Sequence, residues 1–133
     1  MKKKRWKTSD ETVSSLYYHI LWCVKYKREL LVGEVKQRLE DLLYEKSREI
    51  DIKIVSIEIM TECVHLFVKA NPEDSPHYIV QQFKGCTSKI LREEFTQLKT
   101  KIPTLWTRNY YVSSSGILNE SEINTYLESQ KNK

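Results

Sequence analysis

Apolar and polar side chains alternate from Leu16 to Tyr26, with Tyr18, Ile20, Trp22, Val24 and Tyr26 on one side. That two-residue period predicts a half-buried strand rich in aromatic residues. Gly33 interrupts the pattern. Val35, Leu39, Leu42, Leu43, Lys46 and Ile50 then recur at three-four spacing, which predicts a helix with one apolar stripe. From Ile52 to Ile59 β-branched residues dominate, and Ile52 and Ile54 lie out of phase with Val55, Ile57 and Ile59. A second strand with a bulge or late start near Ile54 follows from that phase change. After a break at Thr61 and Glu62, Val64, Leu66, Val68 and Ala70 share one face of a third strand, so the two runs form a hairpin.

The loop Asn71-Pro72-Glu73-Asp74-Ser75-Pro76 leads into a second helix, with Ser75 as its N-cap and Pro76 at its first position. Ile79, Val80, Phe83, Ile90, Leu91 and Phe95 point inward from it. Gly85 in its interior costs about 1 kcal/mol relative to alanine, which asks for a packing or ligand-approach reason, or else marks a kink. Trp106 to Ser113 reads as a fourth strand. Asn119 caps a last helix, with Glu120 and Glu122 near its positive end. The order β-α-β-β-α-β-α defines an α+β class: a ferredoxin-like antiparallel sheet with helices on one face, extended by a C-terminal helix. One domain, 1–133, is expected, with a basic leader at 1–12 and the last helix at 119–131.

Charge changes the picture locally. The net charge is only +4, yet Lys2, Lys3, Lys4, Arg5 and Lys7 crowd the start, and the 17 basic residues after them do not quite balance 18 acidic ones. A second basic excess holds Lys84, Lys89, Arg92, Lys99, Lys101 and Arg108 against Glu93 and Glu94. With Trp6, Trp106, Tyr110 and Tyr111 interspersed, such clusters suit a phosphate backbone and stacked bases. The rival reading is a solvated surface that serves solubility. No apolar run has the length of a secretory signal core or a membrane span, so a cytoplasmic protein without membrane contact is expected. Cys23, Cys63 and Cys86 are an odd number without CxxC spacing, and reduced thiols are the expectation.

Candidate chemistry lies on two elements. Cys63 and His65, two apart on the third strand, project from the face opposite Val64 and Leu66, about 6.6 Å apart. Tyr126 and Gln130, four apart, stack on one side of the last helix. Each has an ordinary alternative. His65 could serve as a hydrogen-bonding strand residue, Cys63 as a small buried hydrophobe, and Tyr126 as packing beside Ile123 and Leu127. His19 and His77 are read as structural.

Five runs carry a resemblance. They are Tyr18-His19-Ile20-Leu21-Trp22-Cys23-Val24-Lys25-Tyr26-Lys27-Arg28, Glu62-Cys63-Val64-His65-Leu66-Phe67-Val68, Phe83-Lys84-Gly85-Cys86-Thr87-Ser88-Lys89-Ile90-Leu91-Arg92, Leu105-Trp106-Thr107, and Tyr126-Leu127-Glu128-Ser129-Gln130. In this order they resemble the small single-tyrosine transposases of minimal bacterial insertion sequences. That His-hydrophobic-His (HUH) group includes the transposase A family and REP-associated tyrosine transposases.

The resemblance implies a DNA transposase that cleaves and rejoins single-stranded DNA at hairpin-bearing element ends. Tyr126 would be the nucleophile, forming a 5′-phosphotyrosine. A divalent metal, Mg²⁺ or Mn²⁺, would be held by His65 and Gln130, and a homodimer would share composite active sites. Lys3, Lys4, Arg5, Lys84, Lys89 and Arg92 are the candidates for gripping the hairpin through its phosphates.

The chain departs from the family pattern at Cys63, which stands where the first histidine is expected. A thiol must lose its proton to ligate, and a thiolate suits softer ions than magnesium. Three outcomes stay open. Cys63 binds a softer ion, or the metal survives on His65, Gln130, DNA oxygens and water, or cleavage is lost and a non-catalytic DNA or RNA hairpin binder remains. A ferredoxin-like interaction domain is the reading furthest from DNA chemistry.

Overall fold

A computed structural model describes residues 16–114. Strand β1 (Leu16–Cys23) leads through a single 3₁₀ turn to helix α1 (Gly33–Glu49), and the hairpin of β2 (Lys53–Ile59) and β3 (Cys63–Ala70) follows. Helix α2 (Pro76–Glu94), a short α3 (Thr96–Lys101) and β4 (Tyr111–Ser113) complete the described part. The strands form one antiparallel sheet in the order β2-β3-β1-β4. This is the expected α+β, ferredoxin-like arrangement. The anticipated basic leader and the C-terminal helix at 119–131 lie outside the described residues.

The core forms where alternation and helical period meet. Ile20, Trp22 and Val24 from β1 and its extension, with Val64, Leu66 and Val68 from β3, pack in one cluster with Val35, Leu39, Leu42 and Leu43 of α1 and Ile79, Val80, Phe83 and Leu91 of α2. Leu39, Leu43 and Phe83 are fully buried, each contributing on the order of 2 kcal/mol by removal from water. Helix α2 starts as its sequence dictates: Ser75 Oγ accepts a hydrogen bond from the Tyr78 N–H at 3.1 Å, with Pro76 in the first turn. The two long helices are clamped at their exposed edge by Arg38, whose guanidinium donates to both Glu94 oxygens at 2.9 and 3.0 Å. α2 runs as one helix through Gly85, where an added methyl would meet nothing within 4 Å. Close packing therefore does not account for that glycine.

The predicted bulge in β2 is present, with the register shifting between Ile54 and Ser56. Two boundaries differ from expectation. β1 stops at Cys23 because Tyr26 and Lys27 take left-handed backbone conformations (φ 61° and 55°), which end the extended run and leave Tyr26 exposed. The fourth strand shrinks to three residues. Trp106 makes only an isolated bridge to Val24, and its indole turns inward, edge-on to Trp22, with Nε1 donating to Thr87 Oγ1 at 3.0 Å. The carbonyls of Thr107, Arg108 and Asn109 face the Lys84 ammonium, and pairing with β1 resumes only at Tyr111.

Candidate active site

Register assigns the residues of the sheet's second face. Directly opposed residues share a face, so the pairings His19 with Phe67, Leu21 with His65 and Cys23 with Cys63 place all six side chains together, away from the helical core. Tyr111 and Ser113 of β4 join them opposite Leu21 and His19. His65 therefore projects from the face its position predicted.

His65 does not stand alone there. Its Nε2 lies 3.0 Å from Nδ1 of His19, one diagonal step away on β1. The two rings are within 17° of parallel, and the His19 ring also stacks on Phe67 at 4.3 Å between centroids. Both histidines are buried, at 5% and 7% exposure. Burial, and then the neighbouring His19, push the His65 pKa down to about 4, and burial also lowers that of His19. At neutral pH both imidazoles are uncharged, the form in which histidine ligates metal. Periodicity placed His19 only on a strand face. Its contact with His65 depends on two strands 46 residues apart in sequence being neighbours in a fixed register.

Cys63 requires a correction. It is bonded to Cys23, its direct cross-strand partner, so the expectation of reduced thiols holds only for Cys86. The Val24 N–H donates to the Glu62 carbonyl, which makes Cys23 and Cys63 the adjacent non-hydrogen-bonded pair, where side chains approach most closely. As a disulfide, Cys63 has no thiolate to offer a metal. Among the described candidates for ligating a divalent ion, His65 fits and Cys63 does not. Tyr126 and Gln130 lie outside the described residues.

The basic candidates divide. Lys84 is 8% exposed, with its ammonium on the carbonyls of Thr107 and Arg108 at 2.7 and 3.2 Å and over the Tyr110 ring, and burial lowers its pKa. It ties helix to loop, so its ammonium is already engaged within the chain. Lys89 is exposed and pairs loosely with Glu93 at 3.3 Å. Arg92 donates to the Pro103 carbonyl at 2.7 Å, which holds its guanidinium beside the connector. Lys3, Lys4 and Arg5 lie outside the described residues. A separate cleft of about 520 Å³, lined by Tyr44, Arg48, Lys53, Lys69 and Asn71 among others, does not include the histidine pair. No helix among the described residues is long and apolar enough to cross a membrane.

An antiparallel ferredoxin-like sheet with a buried imidazole pair on the face away from its helical core defines a class of fold and site, and comparison with known proteins gives the family. Residues 12–130 match the family described as "Transposase IS200 like". The chain is 32% identical over 123 residues to the ISDra2 transposase TnpA of Deinococcus radiodurans, covering 91% of this chain and 88% of that protein. It is 29% identical over 115 residues to the transposase for insertion sequence element IS200 of Salmonella typhimurium, covering 85% and 75%. Among solved structures, a transposase crystal structure from Deinococcus radiodurans superposes with a TM-score of 0.80 at 30% identity over 98% of both chains. A REP-associated tyrosine transposase bound to a REP hairpin shares the fold with a TM-score of 0.59 at 12% identity, over 87% of this chain and 64% of that one. The chain belongs to the IS200-like transposase family.

Proposed function

We propose that this transposase cleaves and rejoins single-stranded DNA at hairpin-bearing element ends, with Tyr126 as nucleophile. The observation that carries the reading is His65: a family-motif imidazole kept neutral and buried on the sheet face away from the core. Tyr126 Oη attacks a backbone phosphorus. The Oη–P bond forms as the bond to the 3′ oxygen breaks, and the departing oxygen takes a proton to become a 3′-hydroxyl. The 5′-phosphotyrosine conserves the energy of the linkage, so attack by a second 3′-hydroxyl restores DNA and frees the phenol without a nucleotide cofactor. A phenol with a pKa of about 10 is a weak nucleophile at neutral pH. A divalent ion, Mg²⁺ or Mn²⁺, held by His65 and Gln130, would polarise the phosphate and neutralise its developing charge.

Lys89, with the leader residues Lys3, Lys4 and Arg5, supplies sequence-independent affinity for the hairpin phosphates. The working unit is a homodimer in which Tyr126 of one subunit completes the site of the other, acting in the cytoplasm. The deciding experiment is mass spectrometry of the full-length chain incubated with a single-stranded hairpin oligonucleotide and Mn²⁺. A covalent adduct mapping to Tyr126, absent in Tyr126→Phe, is expected. An equal adduct in Tyr126→Phe rules out that nucleophile.

The disulfide at Cys63 favours a second reading, in which the fold binds hairpin DNA or RNA and has lost cleavage. That protein would shift the oligonucleotide in a gel and form no adduct under any divalent ion.

A further inference from the structure

We infer that His19 is a metal ligand, and that its Nδ1 and the Nε2 of His65 together hold the divalent ion. The inference rests on the metal-assisted reading above and changes who supplies the site: the second imidazole comes from β1, across the sheet, in place of a residue along β3.

The geometry favours this pairing. Two ligand atoms in adjacent corners of an octahedron, each about 2.1 Å from the ion, lie roughly 3.0 Å apart. The two facing nitrogens are separated by 3.0 Å. The nitrogens thus already stand at the separation one octahedral ion asks of adjacent ligands, and each ring must turn to aim its lone pair at the ion and not at the other ring. Where no metal is bound, one of these nitrogens donates its proton to the other. On binding, that ring's proton passes to its second nitrogen, a tautomer change with no net proton released.

The surroundings hold the pair ready. Phe67 stacks on His19 and limits its rotation, and β1 is fixed to β3 over eight residue pairs. Both imidazoles are largely withdrawn from water. Among the described residues, the hydrogen bond between them is weak recompense for burying two polar rings where leucines would pack more favourably. Meanwhile Cys63, at the position expected to carry a ligand, is committed to Cys23. The chain thus keeps two nitrogen donors on this face by drawing one from the neighbouring strand. DNA phosphate oxygens and water remain to complete the shell. Two imidazoles shift preference from Mg²⁺ toward Mn²⁺, Co²⁺ and Zn²⁺.

The test counts nitrogens around bound Mn²⁺ in the full-length chain, by electron spin-echo envelope modulation, with and without a hairpin oligonucleotide. Wild type should show two coordinated imidazoles. His19→Gln and His65→Gln should each show one, with Mn²⁺ affinity falling by more than the roughly 10–100-fold that loss of an outer-shell partner costs. His77→Gln, altered at an exposed histidine bonded to Tyr110, should match wild type. A single imidazole in wild type would make His19 only an orienting neighbour and overturn the inference, and that count needs no variant to fold. Absence of Mn²⁺ binding by wild type would overturn both this inference and the metal-assisted reading. A single-imidazole site alongside a Tyr126 adduct would leave the transposase reading standing without this one.

Discussion

The Lys84 ammonium lies 2.7 Å from the carbonyl oxygen of Thr107, joining the middle of α2 to the segment that enters β4. β4 in turn pairs with His19, Ile20 and Leu21, so this buried cation fixes the edge of the sheet next to the histidine pair. Hydrogen bonds to a charged group contribute about 1.5–3 kcal/mol, and their loss leaves carbonyls unpaired. Lys84→Met should therefore lower stability by about 2 kcal/mol in urea denaturation. Hairpin affinity measured well below the unfolding midpoint should hardly change. A variant as stable as wild type but weakened in DNA binding would return Lys84 to the phosphate-contact set.

The Cys23–Cys63 bond joins residues 40 apart in sequence, and such a link stabilises a chain by about 2–4 kcal/mol. Under denaturing, non-reducing conditions, only Cys86 should react with iodoacetamide. All three cysteines should react after reduction. Cys63→Ser should lose stability in that range. Cys63→His places an imidazole where the family pattern has one and should cleave at least as well as the native chain, a result read by comparing adduct yields at equal folded concentration.

Much of the fold was legible because its periods are clean. The strand face of Val64, Leu66 and Val68 and the α1 stripe of Leu39, Leu42 and Leu43 are set by which side chains must leave water, and each is buried as expected. Ser75 and Pro76 marked the start of α2 through local chemistry alone. The false extension of β1 to Tyr26 arose because alternation carries no information on backbone handedness. The site was legible only in part. The direction of His65 follows from counting along one strand, whereas its contact with His19 and the bond between Cys23 and Cys63 depend on register between strands. The partners of Lys84 were illegible for a related reason: composition shows a charge but not whether three carbonyls await it.

The histidine pair makes a prediction about acid. The folded His65 pKa is near 4, while the unfolded chain titrates near 6.5. Between those values the unfolded state binds the proton more readily, so stability falls as pH drops from about 6.5 toward 4 and this contribution levels off below. In chelator-treated protein, urea midpoints across that window should fall more steeply for wild type than for His65→Gln, by on the order of 2 kcal/mol over the window. Parallel slopes would mean that the imidazole is solvated in the folded chain.

Lys89 tests the DNA face of α2. Its side chain is 74% exposed and its partner among the described residues, Glu93, sits one helical turn away on the same surface, a pairing of little energetic weight. If Lys89 meets a phosphate, Lys89→Ala should weaken hairpin binding irrespective of sequence. It should also reduce the slope of log affinity against log salt by about 0.7–0.9, the contribution of one neutralised phosphate. Arg92 bonds the Pro103 carbonyl at 2.7 Å, and removing it strips a contact from the connector as well as a charge. Arg92→Lys keeps the charge and loses the forked geometry, so it should cost stability while leaving the salt slope near wild type. If the slope instead fell with Arg92→Lys and held with Lys89→Ala, the guanidinium would be the phosphate contact and the roles of the two residues would be exchanged.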